Sequence, residues 1–336
     1  MSIPYYANAP LPDTNARQLA QTIRMPSTAL LTIDAEDRYV DYNQARTNPT
    51  SPYNFSISKN ESLMPGFMTR IGISEVVFPW AIPNINQKTS QIQVTYQVGA
   101  GAPVTNTITL VNGFYTPAAL AAAMQVAVRA IGGGAALPSF TMVYGTDNYP
   151  VFSYNSGVNG TSVSFTPMIA NTPAYPYSAQ TKQLFDLLGF TDTNTVGYNI
   201  QNGSPTFCQA IRYVDIVCNQ LTNSQAQKDQ TSQTIARDML CRIYLGDGGG
   251  TGQSTTPASN AAFSPPGCAP MTIYRNYTMP KQIQWIPNQN IPGFLQFQVY
   301  DDAGDLLDNS LPLDDEFTNY TAATLDWSMT MLISEC

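Results

Sequence analysis

The sequence has no histidine, and only 11% of its residues are charged. The lack of histidine excludes Ser-His-Asp and Cys-His triads, imidazole acid–base catalysis and the commonest zinc ligand. Charged residues make up about a quarter of a typical soluble protein, so much of the usual charged surface is missing. Only five of the 15 basic residues are lysine, a residue depleted from protein interfaces. The composition fits two interpretations: a neutral, polar β-protein surface, or a surface largely covered by neighbouring subunits.

Clusters of basic residues and paired cysteines are also missing. The net charge is −8 and the basic residues are scattered singly, so we expect no direct nucleic-acid binding. No two cysteines have the spacing of a metal or redox motif. We therefore predict no metal and no cofactor. The five cysteines are Cys208, Cys218, Cys241, Cys268 and Cys336.

Long apolar runs are absent as well. The longest, residues 118–131, is interrupted by Gln125 and Arg129 and is too short to cross a bilayer. The first eight residues lack the basic-then-apolar pattern of a secretion signal. We expect no membrane span and a protein made inside the cell without export.

Alternating apolar and polar residues dominate what is present, and this two-residue period predicts β-strands. The phase of the strand over 67–78 breaks at Glu75–Val77, which predicts a bulge or bend. Eight antiparallel strands in two sheets is the count of a jelly roll. The predicted fold is mostly β, a single eight-stranded antiparallel jelly roll (β-sandwich) with an α+β insertion. The eight core strands are expected at about 29–34, 53–58, 67–78, 210–218, 236–245, 280–285, 294–300 and 324–333.

Residues 88–204 form the predicted insertion, with shorter strands and two helices. Thr116 as N-cap and Pro117 at the first helical position predict a helix that runs to about residue 130. A second short helix is predicted over 181–188. The predicted organisation is an extended arm at 1–26, a jelly-roll core at 27–87 and 205–336, and the α+β insertion at 88–204.

Three groups of residues could carry chemistry, and none has a complete motif. The glycine-rich segment 246–252 lacks the Gly-Lys-Ser/Thr of a phosphate loop, so a surface loop is predicted. The segment Asp301–Asp305 lacks the spacing of a calcium loop, so a hairpin turn is predicted. Asp215 and Asp326 have apolar strand neighbours, but alternation places both opposite the apolar face, towards solvent or a subunit.

The nine acids that follow Lys281 are interpreted as solvated turns rather than a cation site. We predict no catalytic residues and no enzyme activity.

Several segments, taken in order, resemble the penton (vertex, minor capsid) proteins of virophages and polinton-like viruses. The resemblance covers roughly residues 28–336, without 246–270. Its elements are Asp37-Arg38, Asn112–Thr116, Leu187–Phe190, Tyr213–Ile216, Gln220–Thr222, Met279–Trp285, Val299–Gly304 and Trp327–Glu335.

This resemblance implies a structural virion protein, made in a host cell, that forms homopentamers at icosahedral capsid vertices. Its partners would be copies of itself and the neighbouring major capsid protein. Each subunit would meet two identical neighbours through interfaces that close a ring. The alternatives are a virion attachment or fibre-like protein, a carbohydrate-binding β-sandwich, or a hydrolase that uses Asp215 and Asp326.

Overall fold

A computed structural model describes 16 segments of the chain. The predicted arm at 1–26 and the predicted loop at 246–252 lie outside them, as do Cys268 and Cys336. The described residues are 28–39, 51–58, 64–131, 137–145, 151–179, 181–190, 194–196, 201–204, 206, 208–222, 227–230, 233–245, 271–277, 282–291, 293–307 and 326–335.

Strands dominate these residues, and the helices are few. The strands are β1 (Thr28–Asp34), β2 (Asn54–Ser58), β3 (Met64–Trp80), β4 (Gln91–Val98), β5 (Val104–Thr109), β6 (Thr141–Tyr144), β7 (Phe152–Asn155), β8 (Thr161–Thr166), β9 (Asn194–Val196), β10 (Gln201–Asn202), β11 (Tyr213–Val217), β12 (Gln227–Gln230), β13 (Gln233–Tyr244), β14 (Met271–Asn276), β15 (Gln282–Ile291), β16 (Phe294–Tyr300) and β17 (Ser328–Glu335). The α-helices are α1 (Pro117–Arg129), α2 (Leu184–Leu187) and α3 (Asn219–Thr222), and a 3-10 helix spans Ala35–Arg38.

Two larger antiparallel sheets use strands from both ends of the chain. One has the order β1-β17-β3-β14, with β15 also paired to β3; the other has the order β12-β13-β11-β16-β2. The prediction of a mostly β, antiparallel protein is confirmed, and each of the eight predicted core strands overlaps an observed one. The count of eight is incomplete, because β12 and β14 also belong to these sheets. Sequence alternation missed them because β12 has no apolar residue and only Ile273 of β14 is buried.

Aromatic side chains fill the space between the two sheets. Phe55 of β2 and Phe297 of β16 stack with ring centroids 5.5 Å apart. Trp327, which directly precedes β17, lies 5.7 Å from both rings and is fully buried. Its indole N–H donates a hydrogen bond to the carbonyl of Pro52 at 2.7 Å. The two sheets therefore pack face to face, as in a β-sandwich.

Strands β4 to β10 form two smaller sheets, ordered β5-β4-β8-β9 and β10-β7-β6. Helix α1 begins as predicted: the Thr116 hydroxyl accepts a hydrogen bond from the Ala119 N–H at 3.2 Å. The second predicted helix is too long, because α2 spans only Leu184–Leu187. The Asp186 carboxylate accepts a hydrogen bond from the Gln183 N–H at 2.8 Å and so fixes the start of α2 after residue 183.

Candidate functional site

Asp215 lies on the outer side of its sheet but does not reach solvent. It is 2% exposed, and Arg242 on the adjacent strand binds both of its carboxylate oxygens at 2.7 and 2.9 Å. The Arg242 guanidinium also stacks 4.0 Å from the ring centroid of Tyr213. The expectation of a solvent-facing or subunit-facing carboxylate is wrong for Asp215, because its cross-strand partner covers it.

Asp326 is also buried in an ion pair rather than exposed. Its side chain is 9% exposed and accepts a hydrogen bond from Arg38 at the end of the 3-10 helix. Burial raises the pKa of Asp326, although Arg38 opposes the rise. The expectation for Asp326 is also wrong, because its carboxylate is buried against Arg38. Each of the two acids is bound by its own arginine.

The Asp301–Asp305 segment forms the predicted turn. The Asp301 N–H donates to the Asp305 carbonyl at 2.9 Å, and the Gly304 N–H donates to the Asp301 carbonyl at 3.1 Å. Gly304 has a φ of +96°, a conformation that glycine adopts without strain. The interpretation of these acids as solvated is wrong, because Lys88 lies against them. Its Nζ is 3.0 Å from an oxygen of Asp301 and 3.0 Å from an oxygen of Asp305.

The Lys88 cluster is defined here as Lys88, Asp301, Asp305 and Thr181. Lys88 and Asp301 are each 3% exposed, and the Thr181 hydroxyl donates to Asp305 at 2.8 Å. Burial raises the pKa of Asp301, and Lys88 opposes that rise. Sequence reasoning missed Lys88, because the two partners are 213 positions apart and no local pattern links them.

Exposed apolar and aromatic side chains lie at two ends of the β1-β17-β3-β14 sheet. At the β1 end, Leu30 is 66% exposed and is the cross-strand neighbour of Leu332. At the β14 end, Tyr274 is 47% exposed. Tyr213 and Tyr244 lie on β11 and β13 of the other sheet. The Tyr213 and Tyr244 rings are 5.7 Å apart, and Arg275 donates to the Tyr244 carbonyl at 3.2 Å. Tyrosine and arginine are the residues that dominate binding energy at many interfaces.

The outer side of the β5-β4-β8 sheet carries hydroxyl and amide groups without charge. In one cross-strand row Gln93 lies between Thr107 and Thr166; in the next, Thr95 lies between Thr105 and Ser164. These six residues are called the hydroxyl face. The Thr95 and Thr105 hydroxyls are 2.7 Å apart. Only six of the 117 residues in 88–204 are charged.

Three cysteines within the described segments, Cys208, Cys218 and Cys241, are buried and reduced. Burial raises the pKa of Cys218 to about 12 and that of Cys241 to about 11. In the described part of the chain, no three His, Cys, Asp or Glu side chains are grouped so as to hold a metal ion. Among the same residues, no helix has the length and apolarity needed to cross a membrane.

No protein-family profile matches this sequence, and no curated protein matches it. Among solved structures, the chain is similar to the mavirus penton protein, with 10% sequence identity and a TM-score of 0.47. The alignment covers 93% of this chain and 99% of the mavirus chain. This degree of similarity does not establish a family.

Proposed function

We propose that this chain is a structural virion protein, a penton subunit that forms homopentamers at the vertices of an icosahedral capsid. The supporting observation is the pairing of its core strands. Numbered along the chain, the first predicted core strand pairs with the eighth (β1–β17), the second with the seventh (β2–β16), the third with the sixth (β3–β15) and the fourth with the fifth (β11–β13). Such nested antiparallel pairs arise when one long hairpin is wrapped into two sheets. This nesting supports the proposal of a jelly roll, a common capsid fold.

The placement of exposed apolar groups supports a closed ring. A ring of identical subunits needs two different patches on each subunit, because every interface joins one patch to the other. Leu30 and Tyr274 lie at opposite ends of the β1-β17-β3-β14 order. Ring closure would cover both, and it would also explain why so few lysines are present.

The proposal includes the domain organisation and the partners expected from the sequence. Residues 27–87 and 205–336 would form the jelly-roll core, 88–204 an insertion, and 1–26 an arm. The larger sheets of the structure draw only on strands before β4 and after β10, which supports this division. The neighbouring major capsid protein would be the second partner, and the protein would be located in the virion.

The proposal is tested by native mass spectrometry of the purified protein and by a particle reconstruction. We expect an assembly of five 36.6 kDa subunits and density for this chain at the five-fold vertices. Tyr274→Glu, at the exposed β14 end of the sheet, should dissociate the assembly, because it buries a charge at an interface. Thr107→Glu, on the hydroxyl face, is the matched control and should leave five subunits together. A wild-type monomer that is absent from particles would refute the proposal.

The hydroxyl face favours a second candidate, a virion attachment protein that binds neutral carbohydrate. Its uncharged donors and acceptors match the hydroxyl groups of a neutral glycan. A glycan array with the wild-type protein and with Thr107→Glu distinguishes this function. Glycan binding that the Thr107→Glu substitution abolishes, and that Tyr274→Glu retains, would support it. An array without any bound glycan would exclude it.

A further inference from the structure

We propose that Lys88 and Asp301 are joined by an intramolecular amide (isopeptide) bond, which forms within the Lys88 cluster with Asp305 as the proton carrier. The geometry points to this reaction because one buried amine contacts two carboxyl groups, at 3.0 Å each. One carboxyl can serve as electrophile and the other as base. This inference is independent of the proposed capsid function.

Lys88 is almost completely buried, and its amine is held between two carboxyl groups. Asp302, the other acid of the turn, accepts a hydrogen bond from Arg212 at 2.8 Å. The nearby amine of Lys182 donates to the Gln209 carbonyl at 3.2 Å. Asp301 and Asp305 are therefore the carboxyl groups that Lys88 contacts among the described residues.

Asp301 has the features of an electrophile in acyl transfer. Its Oδ2 contacts the amine, and its Oδ1 accepts a hydrogen bond from the backbone N–H of Asp305 at 2.8 Å. Negative charge would develop on Oδ1 when nitrogen attacks Cγ. A fixed backbone donor at that oxygen stabilises the charge, as the donors of an oxyanion hole do.

Asp305 is placed to carry the protons. Its carboxylate contacts Lys88 Nζ and is oriented by the hydroxyl of Thr181 at 2.8 Å. Thr181 is thus a positioning residue. On the other side, the Tyr175 hydroxyl donates to the Lys88 carbonyl at 2.7 Å and fixes the backbone from which the amine extends.

The reaction starts from the Lys88 ammonium, a protonated Asp301 carboxyl and an ionised Asp305. Asp305 removes a proton from the ammonium, and the free amine attacks Asp301 Cγ to form the C–N bond. Asp305 then returns this proton to Oδ2, the C–Oδ2 bond breaks, and water leaves. The nitrogen gives its surplus proton to Asp305, which releases it to solvent. In sum, an ammonium and a protonated carboxyl group become an amide, one water and one proton released to solvent, with no oxidation or reduction.

Water can leave the cluster through a cleft. The cleft is lined by Lys88, Thr181, Asp301 and Ala303 among others. The amide would close a loop between positions 213 apart. A cross-link of this length restricts the unfolded chain, as a long-range disulfide does, and would tie the β3–β4 connection to the turn after β16.

Intact mass spectrometry of the full chain under denaturing conditions tests the proposal. The expected mass is about 18 Da below that of the sequence, which is the loss of one water. Trypsin should also fail to cut after Lys88. Basic residues are absent between Lys88 and Arg129 and after Lys281, so the expected product is fragment 71–129 attached to fragment 282–336.

Two acid-to-amide variants of the same turn complete the test. Asp305→Asn keeps the shape but removes the base, so it should have the full sequence mass and be cut after Lys88. Asp302→Asn, the matched control, should keep the loss of one water. A wild-type protein with the full sequence mass and normal cleavage after Lys88 would overturn the proposal. The wild-type result decides it even if the Asp305→Asn variant does not fold.

Discussion

Arg242 and Asp215 face each other across β13 and β11 and form two hydrogen bonds, at 2.7 and 2.9 Å. The two partners differ in exposure, since the Arg242 side chain is 24% exposed and that of Asp215 is 2% exposed. Removal of Arg242 therefore leaves a buried carboxylate, whereas removal of Asp215 leaves a guanidinium that is partly exposed to water.

Arg242→Met is expected to destabilise the protein by about 3–5 kcal/mol, because it leaves a buried carboxylate unpaired. Asp215→Asn is expected to cost less, since the guanidinium can still reach water. Urea denaturation measures the free energy of unfolding of both variants and of the wild type. Equal losses in the two variants would show that Asp215 has access to solvent.

Trp327→Ala is expected to cost about 3–5 kcal/mol, because it empties the space between the sheets and leaves the Pro52 carbonyl without its donor. Trp327→Phe is the control that retains most of the volume, and it should lose less. Thermal or urea unfolding measures both variants. An unchanged unfolding curve for Trp327→Ala would mean that this residue does not pack between the sheets.

Strands with regular alternation could be predicted from the sequence, because burial on one side leaves a two-residue period. In β17, Met329, Met331 and Ile333 are buried and the residues between them are not. The predicted bulge of β3 is confirmed close to its expected place: pairing with β17 shifts between Ile73 and Glu75. Strand β12, with the sequence Gln-Lys-Asp-Gln, offers no such pattern.

The candidate site could be predicted only in part. Alternation gave the side of the sheet on which Asp215 lies, but not the arginine that covers it. The turn at Asp301–Asp305 followed from its glycine and acids, whereas its contact with Lys88 depends on a long-range approach of two segments. Long-range partners are set by the whole packing, so local sequence patterns cannot supply them.

The raised pKa of Asp326 predicts a pH dependence of stability. Burial raises the folded-state pKa above the ordinary value of 3.8, so the folded protein binds a proton more tightly than the unfolded chain. The contribution of this group to stability therefore falls as pH rises from about 4 through the raised pKa. Asp326→Asn should flatten this decline in urea unfolding between about pH 4 and pH 7. Parallel curves for wild type and variant would contradict the prediction.

The buried cysteines predict a limited reactivity of the native protein. Thiolate is the reactive form, and burial raises the pKa of Cys218 to about 12 and of Cys241 to about 11. Three of the five cysteines are buried, so no more than two thiols should react quickly with Ellman's reagent at about pH 8. All five should react in denaturant, which provides the internal control. Rapid reaction of three or more thiols without denaturant would show that Cys208, Cys218 or Cys241 is open to solvent.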